Sequence, residues 1–136
     1  MAEPGDMIEI QRAGYNHWAL FIGNGDVLHL TTDGVSSTAA IFAGSVDSVF
    51  AIVKKEKLKE VALGDKWSVH NCLDNEWETK SPDVILKEAE QLVGKKMPYN
   101  LLTFNCEHFV TYLRYGIPES RQARKVISAV KGSFGS

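Results

Sequence analysis

Long apolar runs are missing from this chain. No uninterrupted hydrophobic stretch of about 18 residues occurs, so no helical membrane span is expected and any membrane contact is read as peripheral. Cysteine is scarce: the two present, Cys72 and Cys106, are too few for a disulfide framework. No charged leader followed by an apolar run opens the sequence, and together these features point to a reducing, cytoplasmic setting. An excess of positive charge is also missing, since 15 Lys and Arg face 17 Asp and Glu for a net charge of -2. Nucleic acid is thereby excluded as the main partner, because phosphate binding draws on concentrated positive charge. The one basic cluster, Lys54, Lys55, Lys57 and Lys59, reads as a solvated face. No CxxC, HxxxH or acidic cluster has ligand spacing, so neither metal nor cofactor is expected.

The 136 residues suit one domain, 1–136, and their composition is that of an ordinary globular protein. Asp6 to Gln11 alternates polar and apolar residues as a half-buried strand does. His17 to Ile22 and Val27 to Leu30 form a hairpin across Gly23-Asn24-Gly25-Asp26. Thr31 to Ser45 reads as a long loop, and Ser48 to Lys54 and Lys66 to His70 as two further strands. Ser81 and Pro82 start a helix that Gly94, Lys95 and Lys96 end, and Pro98 breaks the chain before the next. That second helix spans Asn105 to about Tyr115, and a third helical pattern covers Ser120 to Lys131. Strands first and helices later predict an α+β domain, with an antiparallel sheet of four to five strands packed against about three helices.

Cys106 opens the second helix, where free N–H groups and the helix dipole favour a thiolate. It also falls with Phe109, Val110 and Leu113 on the core-facing stripe, so a buried inert thiol is the competing reading. A nucleophile needs a base. His108 projects roughly 200° round the helix from Cys106 and is read as structural. His17 and His29, on partner strands of the hairpin, supply a base and an orienting group. That reading carries a geometric condition. A plain two-residue turn at Asn24-Gly25 would set His29 against Leu20, on the opposite face from His17; an odd-length loop or a bulge would set it against Ala19, on the same face. Cys72 and His70 are read as structural.

The segments PGDMIEI (Pro4 to Ile10), GYNHWALFIGNGDVLHL (Gly14 to Leu30), AIVKKEKL (Ala51 to Leu58) and above all NCEHFVTYLRYG (Asn105 to Gly116) resemble the phospholipase A/acyltransferase family. This is the H-Ras-like suppressor family, within the lecithin:retinol acyltransferase group. The resemblance implies a circularly permuted papain-like (NlpC-type) thiol enzyme with Cys106 as nucleophile, His17 as base and acid, His29 as orienting group and Tyr15 helping to hold an oxyanion. It implies a glycerophospholipid substrate, no metal or calcium, and acyl transfer to water or to an amine or hydroxyl acceptor. A monomer in peripheral contact with membranes is expected. Asp26 stands where an aromatic residue is usual in that family, Thr31-Thr32 replaces an Ala-Pro pair, and Lys131 to Ser136 does not read as the apolar C-terminal anchor of many members. A cysteine peptidase or amidase on the same scaffold and a non-catalytic binding module are the alternative readings.

Overall fold

A computed structural model describes residues 2–32, 49–99 and 105–120. The loop expected between Thr31 and Ser45 and the helix expected from Ser120 lie, apart from their first residues, outside the described residues. Nine elements follow in order: β1 (Met7–Arg12), β2 (Tyr15–Gly23), β3 (Asp26–Thr31), β4 (Val49–Lys57), α1 (Leu58–Ala62), β5 (Trp67–Val69), α2 (Pro82–Leu92), β6 (Lys96–Tyr99) and α3 (Cys106–Tyr115). The strands make one open antiparallel sheet in the order β5-β1-β2-β3-β4-β6, an α+β fold.

Side chains alternate across this sheet, and both faces are covered at its centre. Met7, Trp18, Leu20, Leu28, Leu30, Ala51 and Val53 point to the face where Ile85 and Ala89 of α2 and Phe109, Val110 and Leu113 of α3 pack. Ile8, Ile10, Ala19 and Val27 point to the other, closed by Leu58, Val61 and Ala62 of α1. Burial on both sides is why β2 and β3 read as near-continuous apolar runs rather than clean alternations. The fully buried side chains of α3 are each worth roughly 1.5–3 kcal/mol, and they fix this helix against β2 and β3.

Two elements depart from the sequence expectation. α1 has only five residues and no side-chain cap, so its short Leu58, Val61, Ala62 pattern carries too little periodicity to show as a helix. β6 occupies residues read as a helix end and a chain break. Gly94 takes φ 82°, beyond the reach of most side chains, and turns the chain straight from α2 into a strand along β4. Gly94 N–H donates to Val53 O at 2.8 Å and Val53 N–H to Lys95 O at 3.0 Å. Pro98 is tolerated because β6 lies at the sheet edge, where its missing N–H leaves no ladder bond unmade. Among the described residues the sheet has six strands, where about four to five were expected.

The end of α3 is tied across the molecule. Arg114 donates through Nη1 to Gly5 O at 2.8 Å and through Nε and Nη2 to Asp74 at 3.1 and 3.0 Å, while Tyr115 Oη donates to the same carboxylate at 2.6 Å. These bonds hold Asp74 in its charged form, below the usual carboxylate range despite partial burial.

Candidate active site

Asn105 accepts with its side chain from the N–H groups of Glu107 at 2.9 Å and His108 at 3.2 Å, and His108 Nδ1 accepts from Asn105 N–H at 3.0 Å. This reciprocal cap sets the first turn of α3 and gives His108 a structural place, as its position round the helix predicts. Cys106 follows the cap and is buried.

The sulfur of Cys106 lies where two strands part. β2 pairs with β3 from Gly23↔Asp26 to Leu20↔Leu28, whereas β3 follows β4 as far as Thr31↔Ile52. Beyond Leu20 the backbone groups of β2 on that side are left for another partner. Cys106 Sγ stands 3.9 Å from Asn16 O, and the backbone amides of Trp18, Glu107 and Cys106 itself act to stabilise a charge on it. Asn16 and Trp18 flank His17, so the thiol is seated against the backbone that carries the imidazole. No hydrogen bond among the described residues joins Cys106 to His17 in this conformation. Hydrogen bonds of this kind are often loose in resting enzymes and tighten with substrate.

The condition on the hairpin is met by a bulge. Asn24 and Gly25 form a two-residue turn with φ 56° and 75°, and the register shifts between Phe21 and Gly23. Leu20 therefore faces Leu28 and His29 comes opposite Ala19, on the face of His17. His17 Nε2 and His29 Nδ1 are 2.9 Å apart, with the rings edge to face at 5.1 Å between centroids. The other nitrogen of His29, Nε2, lies 2.6 Å from Glu56 Oε2.

Burial sets the charge of the resting site. The His17 imidazole is pushed down to about 3, first by desolvation, then by the neighbouring His29 and Arg12. Desolvation pushes the Cys106 thiol up to about 11, and the Glu107 carboxylate adds to it. The backbone N–H groups of Trp18, Glu107 and Cys106 act in the opposite sense and do not prevail. This corrects the expectation that the helix N-terminus lowers the thiol pKa: the dipole is present, but removal from water outweighs it. The resting pair is thus a neutral thiol beside a neutral imidazole.

Tyr15 sits at the head of β2, 43% exposed at the rim of this site. Tyr99, at the end of β6, packs against the cluster that contains Cys106, and its phenol is pushed up by burial and then by Cys106 and Tyr15. Sequence reasoning missed Glu56 and Tyr99. Glu56 lies inside the KKEK charge run and reads as solvated surface; only the β3–β4 register, with Val27 opposite Glu56 and His29 opposite Lys54, reveals it. Tyr99 gives no signal beside Pro98. Cys72 and His70 stay outside the site: Cys72 packs at the margin of the core, and His70 Nδ1 lies 3.0 Å from Glu9 Oε1. Among the described residues no group of three or more His, Cys, Asp and Glu is placed to hold a metal ion, and no helix is long and apolar enough to cross a membrane.

The chain belongs to the lecithin retinol acyltransferase family, whose family model matches residues 1–119. Within it, the chain is 46% identical over 134 residues to the human protein named Phospholipase A and acyltransferase 2, covering 96% of this chain and 82% of that one. It is 43% identical over 129 residues to human Phospholipase A and acyltransferase 4, covering 90% and 76%. To mouse Phospholipase A and acyltransferase 3 it is 46% identical over 131 residues, covering 94% and 80%.

Proposed function

We propose that the protein is a calcium-independent thiol phospholipase A and acyltransferase acting on glycerophospholipids at a membrane surface, as a peripherally bound cytoplasmic monomer. The observation that carries this reading is the seat of Cys106: a sulfur 3.9 Å from Asn16 O at the capped start of α3, against the strand that presents His17 and its hydrogen-bonded His29. The names of the relatives support the reaction class.

Because thiol and imidazole are both neutral at rest, proton transfer accompanies attack. The S–H bond breaks as His17 takes the proton, and the freed electron pair of the sulfur bonds to the ester carbonyl carbon. The oxyanion that forms is held by backbone N–H groups at the start of α3 and by Tyr15 at the rim. Collapse breaks the ester C–O bond and leaves a thioester on Cys106, while His17 returns its proton to the departing lysophospholipid. Water or the amine of phosphatidylethanolamine then takes the acyl group.

Products released from defined phosphatidylcholine and phosphatidylethanolamine vesicles test this. Free fatty acid or N-acyl product, with an acyl adduct on Cys106 by mass spectrometry, is expected from the wild type and absent from Cys106→Ser and His17→Ala. Lack of any lipid-derived adduct alongside cleavage of a peptide would establish the peptidase alternative instead.

A further inference from the structure

The hydrogen-bonded row that begins at His17 does not end at His29. β4 sets Lys54 opposite His29 and Glu56 opposite Val27, so Glu56 is the diagonal neighbour of His29 on the same face. Its Oε2 lies 2.6 Å from His29 Nε2, and the side chains are 37% and 6% exposed respectively. We propose that Glu56 is a positioning residue that dictates, through two imidazole rings, which nitrogen of His17 takes the Cys106 proton; the inference deepens the thiol-enzyme reading above and rests on it.

The argument is one of donors and acceptors. A carboxylate accepts and does not donate, so His29 Nε2 carries the hydrogen in the 2.6 Å bond. With His29 in its neutral form, Nδ1 holds a lone pair, and the 2.9 Å bond obliges His17 Nε2 to donate to it. The remaining lone pair of His17 is therefore on Nδ1, an atom with no hydrogen-bond partner among the described residues. During attack the Cys106 S–H bond breaks, an Nδ1–H bond forms on His17, and the positive charge that appears on the ring faces the Glu56 carboxylate through His29. Without Glu56, both His29 tautomers become accessible, and one of them puts the His17 lone pair on Nε2, turned to His29 rather than to the sulfur. Among the described residues the titratable groups around these rings are Arg12 on β1, Lys54 and Glu56 on β4 and Cys106 at the head of α3; the core residues of α1 on this face, Leu58, Val61 and Ala62, bring no charge.

The test combines ring-nitrogen NMR on the resting protein with lipid turnover in wild type, Glu56→Ala and Glu56→Gln. Wild type is expected to show His17 protonated at Nε2 and unprotonated at Nδ1. Glu56→Ala is expected to mix the tautomers and to lower kcat about tenfold or more, part of what a general base contributes, with KM changed by less than about twofold. Its acid limb moves to lower pH, because the imidazolium loses a facing carboxylate. Glu56→Gln, whose carbonyl still accepts from His29 Nε2–H, is expected to restore the tautomers and most of kcat while keeping the shifted limb. Wild-type ring signals and an unchanged pH profile in Glu56→Ala would overturn the assignment, as would a glutamine variant no better than the alanine one. Should the wild type turn over no phospholipid, the ring-nitrogen signals of wild type, Glu56→Ala and Glu56→Gln still decide the tautomer, so the two readings fail separately.

Discussion

Acidification should unfold this protein through His17 before its carboxylates are neutralised. The imidazole titrates near 6.5 when free and near 3 in the folded chain, because desolvation of the partly buried ring, His29 and Arg12 all disfavour its charge. Between those values the unfolded chain binds one more proton than the native one, so stability rises with pH and is lost as pH falls below 6.5. Each unit is worth about 1.4 kcal/mol, so by pH 4.5 this one side chain removes about 2.7 kcal/mol, a large share of a typical domain's total. The assay is urea unfolding at several pH values for wild type and for His17→Gln, which fills similar space and never charges. The expected result is a steeper fall in wild type, the two curves separating by about 1.4 kcal/mol per unit below pH 6.5. Parallel curves would refute the reasoning, because they would mean that His17 takes its proton in the folded state.

Cys106 alkylation by iodoacetamide should keep rising through pH 9 without a plateau, since burial holds the thiol near 11; a plateau near pH 7 would show a preformed thiolate. Asn105→Ala removes both side-chain cap bonds of α3 and should cost about 0.5–2 kcal/mol by thermal unfolding, with a fall in turnover as the first turn loosens under Cys106. Arg114→Ala leaves Gly5 O and the Asp74 carboxylate short of donors and should cost about 1–3 kcal/mol, read as a lower urea midpoint with an unchanged slope.

The helix ends were the most legible elements in the sequence. Ser81 and Pro82, Asn105 and Gly116 mark helix ends by local hydrogen bonding and backbone preference, and local effects are what a sequence displays. The hairpin was legible as a choice between two registers. Which one forms depends on a bulge near Ile22, and that is decided by how Leu20 and Leu28 share the core rather than by the turn residues. Glu56 was out of reach because more than twenty residues separate it from His29 in the chain. The thiol's pKa was misjudged for a related reason: the helix start is visible locally, whereas the burial that overrides it comes from strands far along the sequence.

The parting of β2 and β3 past Leu20 has a cost in backbone pairing. A ribbon paired along its whole length would make a sturdier sheet, yet it would shut sulfur out of the seam. On the proposed mechanism the attacking sulfur occupies a gap in the architecture, so variants selected for rigidity at this seam should grow tougher and fall silent together.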